Sequence, residues 1–149
     1  MFSSEITEKA WDDLVGTNLK VPLFLSQAAA RELKKHHGAI VNIVDIHAER
    51  PLKGYPVYSI AKAGLAAMTR SLALELAPRV RVNGVAPGAI AWPEDGQFEP
   101  AERERVIATT PLARTGTPDD IAQAVHFLAC APYVTGQILA VDGGRSIYL

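Results

Sequence analysis

Apolar and polar positions along this chain repeat with two different periods, which predict helices separated by strands. Residues 7–35 carry apolar side chains every three or four positions, so they predict one long helix. Branched apolar runs at 39–45 and 80–87 are typical of strands that are buried on both faces. The alanine- and leucine-rich segment 56–78 between these runs predicts a second long helix.

The pattern continues through the second half of the chain. Segment 91–116 is rich in proline and glycine and contains one short, charged helix. A strong helix start follows at 117–132, where Thr117 is the expected cap and Asp120 stands three positions later. Residues 137–144 then predict a last strand and a glycine turn.

Strands that alternate with helices predict a single domain over residues 1–149 in the α/β class. The expected architecture is a Rossmann-like, doubly wound parallel sheet of about three strands with four to five helices. Ligands bind such sheets at the carboxyl ends of the strands. Asp45 ends the first strand, and Pro87 and Gly88 end the second. These residues should therefore lie at the ligand-binding edge.

Composition excludes several classes of function. The 149 residues carry a formal net charge of −1, which does not favour nucleic-acid binding. The sequence has neither a polybasic face nor an apolar run of about 20 residues, so nothing in it indicates contact with a membrane. We therefore expect a cytoplasmic protein. The histidines show no metal-ligand spacing, and no metal is predicted. The single cysteine, Cys130, lies in an apolar helical run and is expected to be a buried thiol rather than a reactive one.

Tyr58 and Lys62 stand four positions apart near the start of the second long helix. At that spacing their side chains share one helix face, about 5–6 Å apart at Cβ. A nearby ammonium favours the phenolate and lowers the pKa of a phenol from about 10. The spacing alone is a weak signal, since an ordinary amphipathic helix can carry both groups on its solvent-exposed face.

A longer pattern makes the pair more specific. VDIHAERPLKGYPVYSIAKAG, followed by VRVNGVAPG and VDGG, resembles the C-terminal portion of short-chain dehydrogenases/reductases. The resemblance implies that Tyr58 exchanges a proton with the substrate, while Lys62 lowers the pKa of the phenol and holds the nicotinamide ribose. It also implies that Pro87, Gly88 and Ile90 lie against the nicotinamide.

The same resemblance gives Asn18 a role in catalysis, because its carbonyl would hold a water in a proton relay behind the lysine. Residue 22 is proline and has no N–H to donate to the Asn18 carbonyl. The carbonyl is therefore expected to be free, and Pro22 is expected to bend the helix. A bend without any functional role remains the alternative.

Asp45 departs from the family, which usually has a serine thirteen positions before the tyrosine. A carboxylate would repel a developing alkoxide, whereas it can accept hydrogen bonds from the N–H groups of a ring. With this exchange the segment resembles pteridine reductases, which implies NADPH and a pterin or folate whose C=N bond is reduced. Asp45 could also be a structural residue that caps a loop.

Trp92 stands in the loop after the second strand, where the family often has a threonine. It is expected either to form an apolar wall or lid over a flat substrate ring, or to pack in the core.

The family's N-terminal, dinucleotide-binding half, with its glycine-rich turn, has no counterpart in this sequence and is expected to be absent. Two alternatives therefore stay open beside a pteridine reductase. One is a carbonyl or 3-oxoacyl reductase of the same family, and the other is a truncated, non-catalytic oligomerisation module. The apolar faces of helices 7–35 and 56–78 favour a homodimer or homotetramer.

Overall fold

The computed structural model describes residues 6–92 and 98–148 as a parallel sheet covered by helices. Its elements are α1 (Glu8–Val15), α2 (Val21–Lys35), β1 (Ala39–Ile43), α3 (Pro56–Leu76), β2 (Arg81–Pro87), α4 (Pro100–Ala108), α5 (Pro118–Cys130) and β3 (Ile138–Val141). The predicted fold class, a Rossmann-like parallel sheet with helical crossovers, is confirmed.

The three strands are ordered β1-β2-β3, and both pairings are parallel. Ala39 lies opposite Arg81, and Gly84 lies opposite Ile138. β2 is the central strand, and the residues between its two ends are buried. On its other side β1 has no neighbouring strand within the described part of the chain.

Side chains of β2 alternate between two helical layers. Val82 packs in a cluster that includes residues of α3, whereas Val85 packs against Ala124 and Leu128 of α5. This alternation follows from the two-residue period of a strand. It explains why the strand reads as one continuous apolar run, because both faces of the sheet are covered.

The first long helix of the prediction is divided in the structure. Residues Gly16–Lys20 form a π-helical turn between α1 and α2, in which the Val21 N–H donates to the Gly16 carbonyl. Pro22 stands in the first turn of α2, where a residue without an N–H is tolerated. The helix predicted over 7–35 therefore contains a π-helical turn, which lies directly before Pro22, the residue at which a bend was expected.

The thiol of Cys130 is exposed, contrary to the expectation of burial. Helix α5 buries only Ala124 and Leu128, and Cys130 at its last position lies off that stripe. The sulfur is 3.8 Å from His126 Nε2, one turn earlier and also exposed. An apolar sequence context therefore did not determine which side of the helix the thiol occupies.

Among the described helices, none is both long and apolar enough to cross a lipid bilayer.

Candidate active site

Asp45 and Tyr58 form a hydrogen-bonded pair at the carboxyl end of β1. The Tyr58 hydroxyl donates to Asp45 Oδ2 at 2.7 Å. The other carboxylate oxygen, Oδ1, accepts from the His47 N–H at 2.8 Å and so caps the short 3₁₀ turn Ile46–Ala48. Asp45 thus caps a loop and contacts the phenol at the same time, because one oxygen serves each purpose.

This pairing shifts the pKa of the Tyr58 phenol in the direction opposite to the expected one. Burial raises the pKa of Tyr58 well above its ordinary value, and the hydrogen bond and charge of Asp45 raise it further. An ionised carboxylate that accepts the phenol proton stabilises the protonated form. The expectation that neighbouring groups lower the pKa of Tyr58 is therefore wrong for burial and Asp45, which both raise it. These two effects keep the proton on the phenol.

Lys62 lies one turn after Tyr58 on α3. Its ammonium lies 5.7 Å from the Tyr58 ring centroid and donates to the Ile43 carbonyl at 3.0 Å. The residue is only 9% exposed. Burial lowers the pKa of Lys62, and the charge of Asp45 partly opposes that shift.

Asn18 and Lys62 line the same cavity, of about 420 Å³, beside β1 on the side away from β2. The Asn18 side-chain amide donates to the Leu14 carbonyl at 2.9 Å. The π-helical turn around Asn18 therefore lies beside the lysine, as the resemblance implied. The role of its carbonyl in a proton relay stays a prediction.

A larger cavity of about 590 Å³ lies in front of Asp45 and Tyr58. Its walls are mainly apolar, and its lining residues include Asp45, Tyr58, Gly88, Trp92, Glu102 and Arg145. Lys62 does not line it. Asp45 and Tyr58 thus share this cavity, whereas the Lys62 amine lines the smaller cavity beside β1.

Trp92 is placed in the wall of this larger cavity. Its ring is 5.5 Å from that of Phe98, centroid to centroid, and the Arg103 guanidinium lies 5.4 Å from the Trp92 ring. Phe98 lines the same cavity. Of the two alternatives for Trp92, the wall of a cavity describes its position better than the core of the fold.

The loop after β2 brings backbone close to the site. Gly88 lines the larger cavity, and a Cβ atom there would lie 2.7 Å from the Cβ of Asp142. Glycine at this position therefore lets the ends of β2 and β3 approach each other. Pro87 is the last residue of β2 and pairs with Val141.

Ile90 is directed differently from Gly88. Its Cδ1 would lie 2.7 Å from a Cβ atom added at Gly116, so the side chain packs toward the loop before α5. Contact of Ile90 with a nicotinamide therefore stays a prediction, and it concerns the backbone of this residue rather than its side chain.

Arg145 was not singled out from the sequence, although it lines the larger cavity. It follows Gly143 and Gly144, whose φ angles of 64° and 86° are left-handed. These two glycines turn the chain after β3 and lead into the 3₁₀ turn Arg145–Ile147. A charged residue directly after a Gly-Gly turn at the ligand end of a strand was the available signal.

Comparison with known proteins identifies relatives across nearly the whole chain. A family model described as enoyl-(acyl carrier protein) reductase matches residues 3–146. The chain is 45% identical over 134 residues to carbonyl reductase family member 4 of Danio rerio, covering 89% of this chain and 55% of that protein. It is 38% identical to the 3-oxoacyl-[acyl-carrier-protein] reductase FabG of Thermotoga maritima, covering 94% of this chain and 58% of the relative.

A solved structure shows the same architecture. The short-chain dehydrogenase of Leptospira borgpetersenii, with bound NAD+, superposes with a TM-score of 0.87 at 32% identity. The match covers 96% of this chain and 59% of that one. The chain therefore spans between half and two thirds of the length of the proteins it matches.

Proposed function

This chain belongs to the short-chain dehydrogenase/reductase family, and we propose that it acts as a nicotinamide-dependent reductase of carbonyl compounds. The observation that carries the proposal is the 2.7 Å hydrogen bond that fixes the Tyr58 phenol at an apolar cavity, at the carboxyl end of the sheet. Similarity to a carbonyl reductase and to a 3-oxoacyl reductase supports carbonyl substrates. The pteridine reductase favoured by the sequence pattern becomes the second candidate.

The residues present fit the nicotinamide ribose of such a cofactor. The Lys62 ammonium has three donors, and within the described residues it makes one hydrogen bond, to the Ile43 carbonyl. It therefore keeps donors for ribose hydroxyls, while the Gly88 backbone lines the neighbouring cavity. The resemblance implied NADPH, and we propose NADPH with NADH as the alternative.

Tyr58 would supply the proton in this reaction. A nicotinamide held by Lys62 would be the source of the hydride for the carbonyl carbon, and the oxygen would then need one proton. The raised pKa of Tyr58 keeps its proton on the phenol near neutral pH, where it can be donated to that oxygen. In the structure this proton is directed at Asp45 Oδ2, so the hydroxyl would turn from Asp45 towards the carbonyl oxygen to donate it, and water would reprotonate the phenolate afterwards.

Reduction of a C=N bond in a pterin or folate is the second candidate, and Asp45 favours it. An ionised carboxylate only accepts hydrogen bonds, so it suits a ring with N–H groups better than a developing alkoxide. Asp45 and Tyr58 line the same cavity, which supports contact of both groups with one ring.

A substrate comparison separates the two candidates. NADPH oxidation is followed with an acetoacetyl thioester, a simple ketone, dihydrobiopterin and dihydrofolate, and NADH is tested in parallel. Turnover of the thioester or the ketone supports the first proposal, and turnover of the pterin alone contradicts it. The Asp45→Ser variant should increase carbonyl reduction, because it removes the repulsive carboxylate but keeps at position 45 an oxygen that can accept from Tyr58. Asp119→Ser, on α5, serves as the matched control.

We also propose that the chain assembles with further copies of itself, as a dimer or tetramer. Exposed apolar side chains on α2 support this, since Phe24 and Leu25 are 55% and 67% exposed. Light scattering should give the mass of a dimer or tetramer, and Leu25→Glu should shift it towards the monomer. A monomer at every concentration would contradict the proposal.

A further inference from the structure

We propose that Arg145 binds an anionic group of the substrate, so that the cavity selects apolar molecules carrying a carboxylate. The proposal rests on the function above, because it places the substrate in the cavity beside Tyr58. Binding can nevertheless be measured without any turnover. The contact would determine substrate specificity, and the residue that makes it follows the end of β3.

The guanidinium of Arg145 is held in position from one side. Its Nη1 donates to the Val106 carbonyl at 3.1 Å and to the Thr109 hydroxyl, both on α4 or directly after it. The Arg145 N–H also donates to the Asp142 carbonyl at 3.2 Å, which fixes the turn itself. The side chain is therefore anchored against α4 where it lines the cavity.

Within the described part of the chain, most of the donors of this guanidinium have no acceptor. An arginine has five N–H donors, and the hydrogen bonds of the Arg145 side chain to residues 6–92 and 98–148 involve Nη1 alone. No carboxylate of those residues forms an ion pair with Arg145. Asp142 is nearby, but its oxygens accept from the N–H groups of Gly144 and Ser146, both at 2.8 Å.

A partly buried cation without a bound carboxylate is unfavourable. Burial lowers the pKa of Arg145, and the charge of Asp142 only partly opposes this. A ligand carboxylate could form two parallel hydrogen bonds with a guanidinium, a geometry that is both strong and directional. The donors without a partner among the described residues and the only partly compensated charge thus favour the same kind of ligand group.

The other charged residues of the cavity also bear on this choice. The oxygens of Asp45 already accept from Tyr58 and from the His47 N–H. Glu102 lines the cavity one helical turn before Val106, so its charge opposes an incoming carboxylate. Removing that charge should therefore strengthen the binding of an anion.

The body of the ligand is expected to be apolar. Trp92, Phe98 and Val106 contribute to walls that are mainly apolar, and the volume of about 590 Å³ is that of a small-molecule site. A suitable molecule has an aromatic or aliphatic body, which the apolar walls would bury, and one terminal carboxylate, which would pair with Arg145.

Two probes of nearly equal shape test the inference, namely 2-naphthoate and its neutral analogue 2-naphthamide. Calorimetry with the 149-residue chain should show at least tenfold tighter binding of the carboxylate. Arg145→Gln should abolish this preference while leaving the amide bound, and Glu102→Gln should increase it. Arg114→Gln, at an arginine paired with Asp120 elsewhere, should change neither affinity.

The results separate this inference from the proposed function. A carboxylate preference that persists in Arg145→Gln, or equal binding of both probes to the unaltered chain, would overturn it. Should Arg145→Gln not fold, Arg145→Lys carries the test, since it keeps the charge but loses the paired donors and should lose part of the preference. Carboxylate selection without carbonyl turnover would contradict the proposed function and leave this inference standing.

Discussion

Helices α3 and α5 both begin with a proline, yet their first turns are built differently. At α5, Thr117 Oγ1 accepts from the Asp120 N–H at 3.3 Å, and the Asp120 carboxylate accepts from the Thr117 N–H at 2.8 Å. Arg114 adds an ion pair of 3.0 Å to the same carboxylate. Helix α3 has no side-chain cap, and Tyr58 in its first turn donates to Asp45 on another element.

The difference shows what each helix start does in the fold. The polar side chains of α5 satisfy the backbone of their own helix, which stabilises it. In the first turn of α3, Tyr58 is directed at a cavity instead, so its hydrogen bond contributes to a site. Changes at the two starts should therefore separate activity from stability.

Tyr58→Phe should give the largest effect. Loss of the phenol proton should lower the rate of NADPH-dependent reduction by about 100-fold or more, the usual contribution of a general acid. The ring remains, so the thermal unfolding midpoint should stay close to that of the unaltered chain. Tyr133→Phe, at a fully exposed tyrosine, is the control. An unchanged rate in Tyr58→Phe would reduce the first turn of α3 to a structural role.

Asp45→Asn should lower the pKa of Tyr58 towards its ordinary value, because the carboxylate contributes to raising it. Burial raises this pKa more strongly and remains in the variant, so the return should be partial. The difference in absorbance at 295 nm between Asp45→Asn and the double variant Asp45→Asn/Tyr58→Phe reports the ionisation.

The same shift affects stability at high pH. A raised pKa in the folded state stabilises the fold below the unfolded value of about 10, and this contribution is lost as pH rises further. The free energy of unfolding should therefore fall less steeply above about pH 10 in Asp45→Asn. Identical slopes would mean that the hydrogen bond does not hold the proton on Tyr58.

Thr117→Ala should destabilise the fold by about 1 kcal/mol, the usual value of a lost N-cap. Chemical denaturation measures this, and the binding of 2-naphthamide should be unchanged because the cap is outside the cavity. Asp119→Asn, in the same turn but outside the capping box, should have a smaller effect. Lost ligand binding would mean that the two helix starts are coupled.

Asp120→Asn should have the smallest effect on the stability of the fold, since the carboxylate lies at the surface. The Arg114 guanidinium and then the Thr117 N–H lower the pKa of Asp120 from 3.8 to about 2. A depressed pKa stabilises the fold above the unfolded value, and the contribution is lost as pH falls from about 4 to about 2. Asp120→Asn should therefore flatten stability against pH in that range, whereas an unchanged curve would contradict the ion pair.

Much of the fold could be predicted from the sequence, because strand and helix periods are local. The runs at 39–45 and 80–87 contain β1 and β2, and the capping signal at Thr117 starts α5 as expected. The π-helical turn could not be predicted from the sequence. Pro22 removes one backbone hydrogen bond, but several helix geometries can accommodate that loss. Exposure of Cys130 likewise depends on which face of α5 meets the sheet.

The sequence by itself determined the parallel α/β layering and brought Asp45 and Tyr58 to the end of β1, because strand ends and helix spacing follow from neighbouring residues. Only the tertiary structure decided that Lys62 donates to Ile43, that the pKa of Tyr58 rises, and that Arg145 reaches the same cavity. Those outcomes depend on burial and on distances between elements far apart in the chain. No local pattern encodes such quantities.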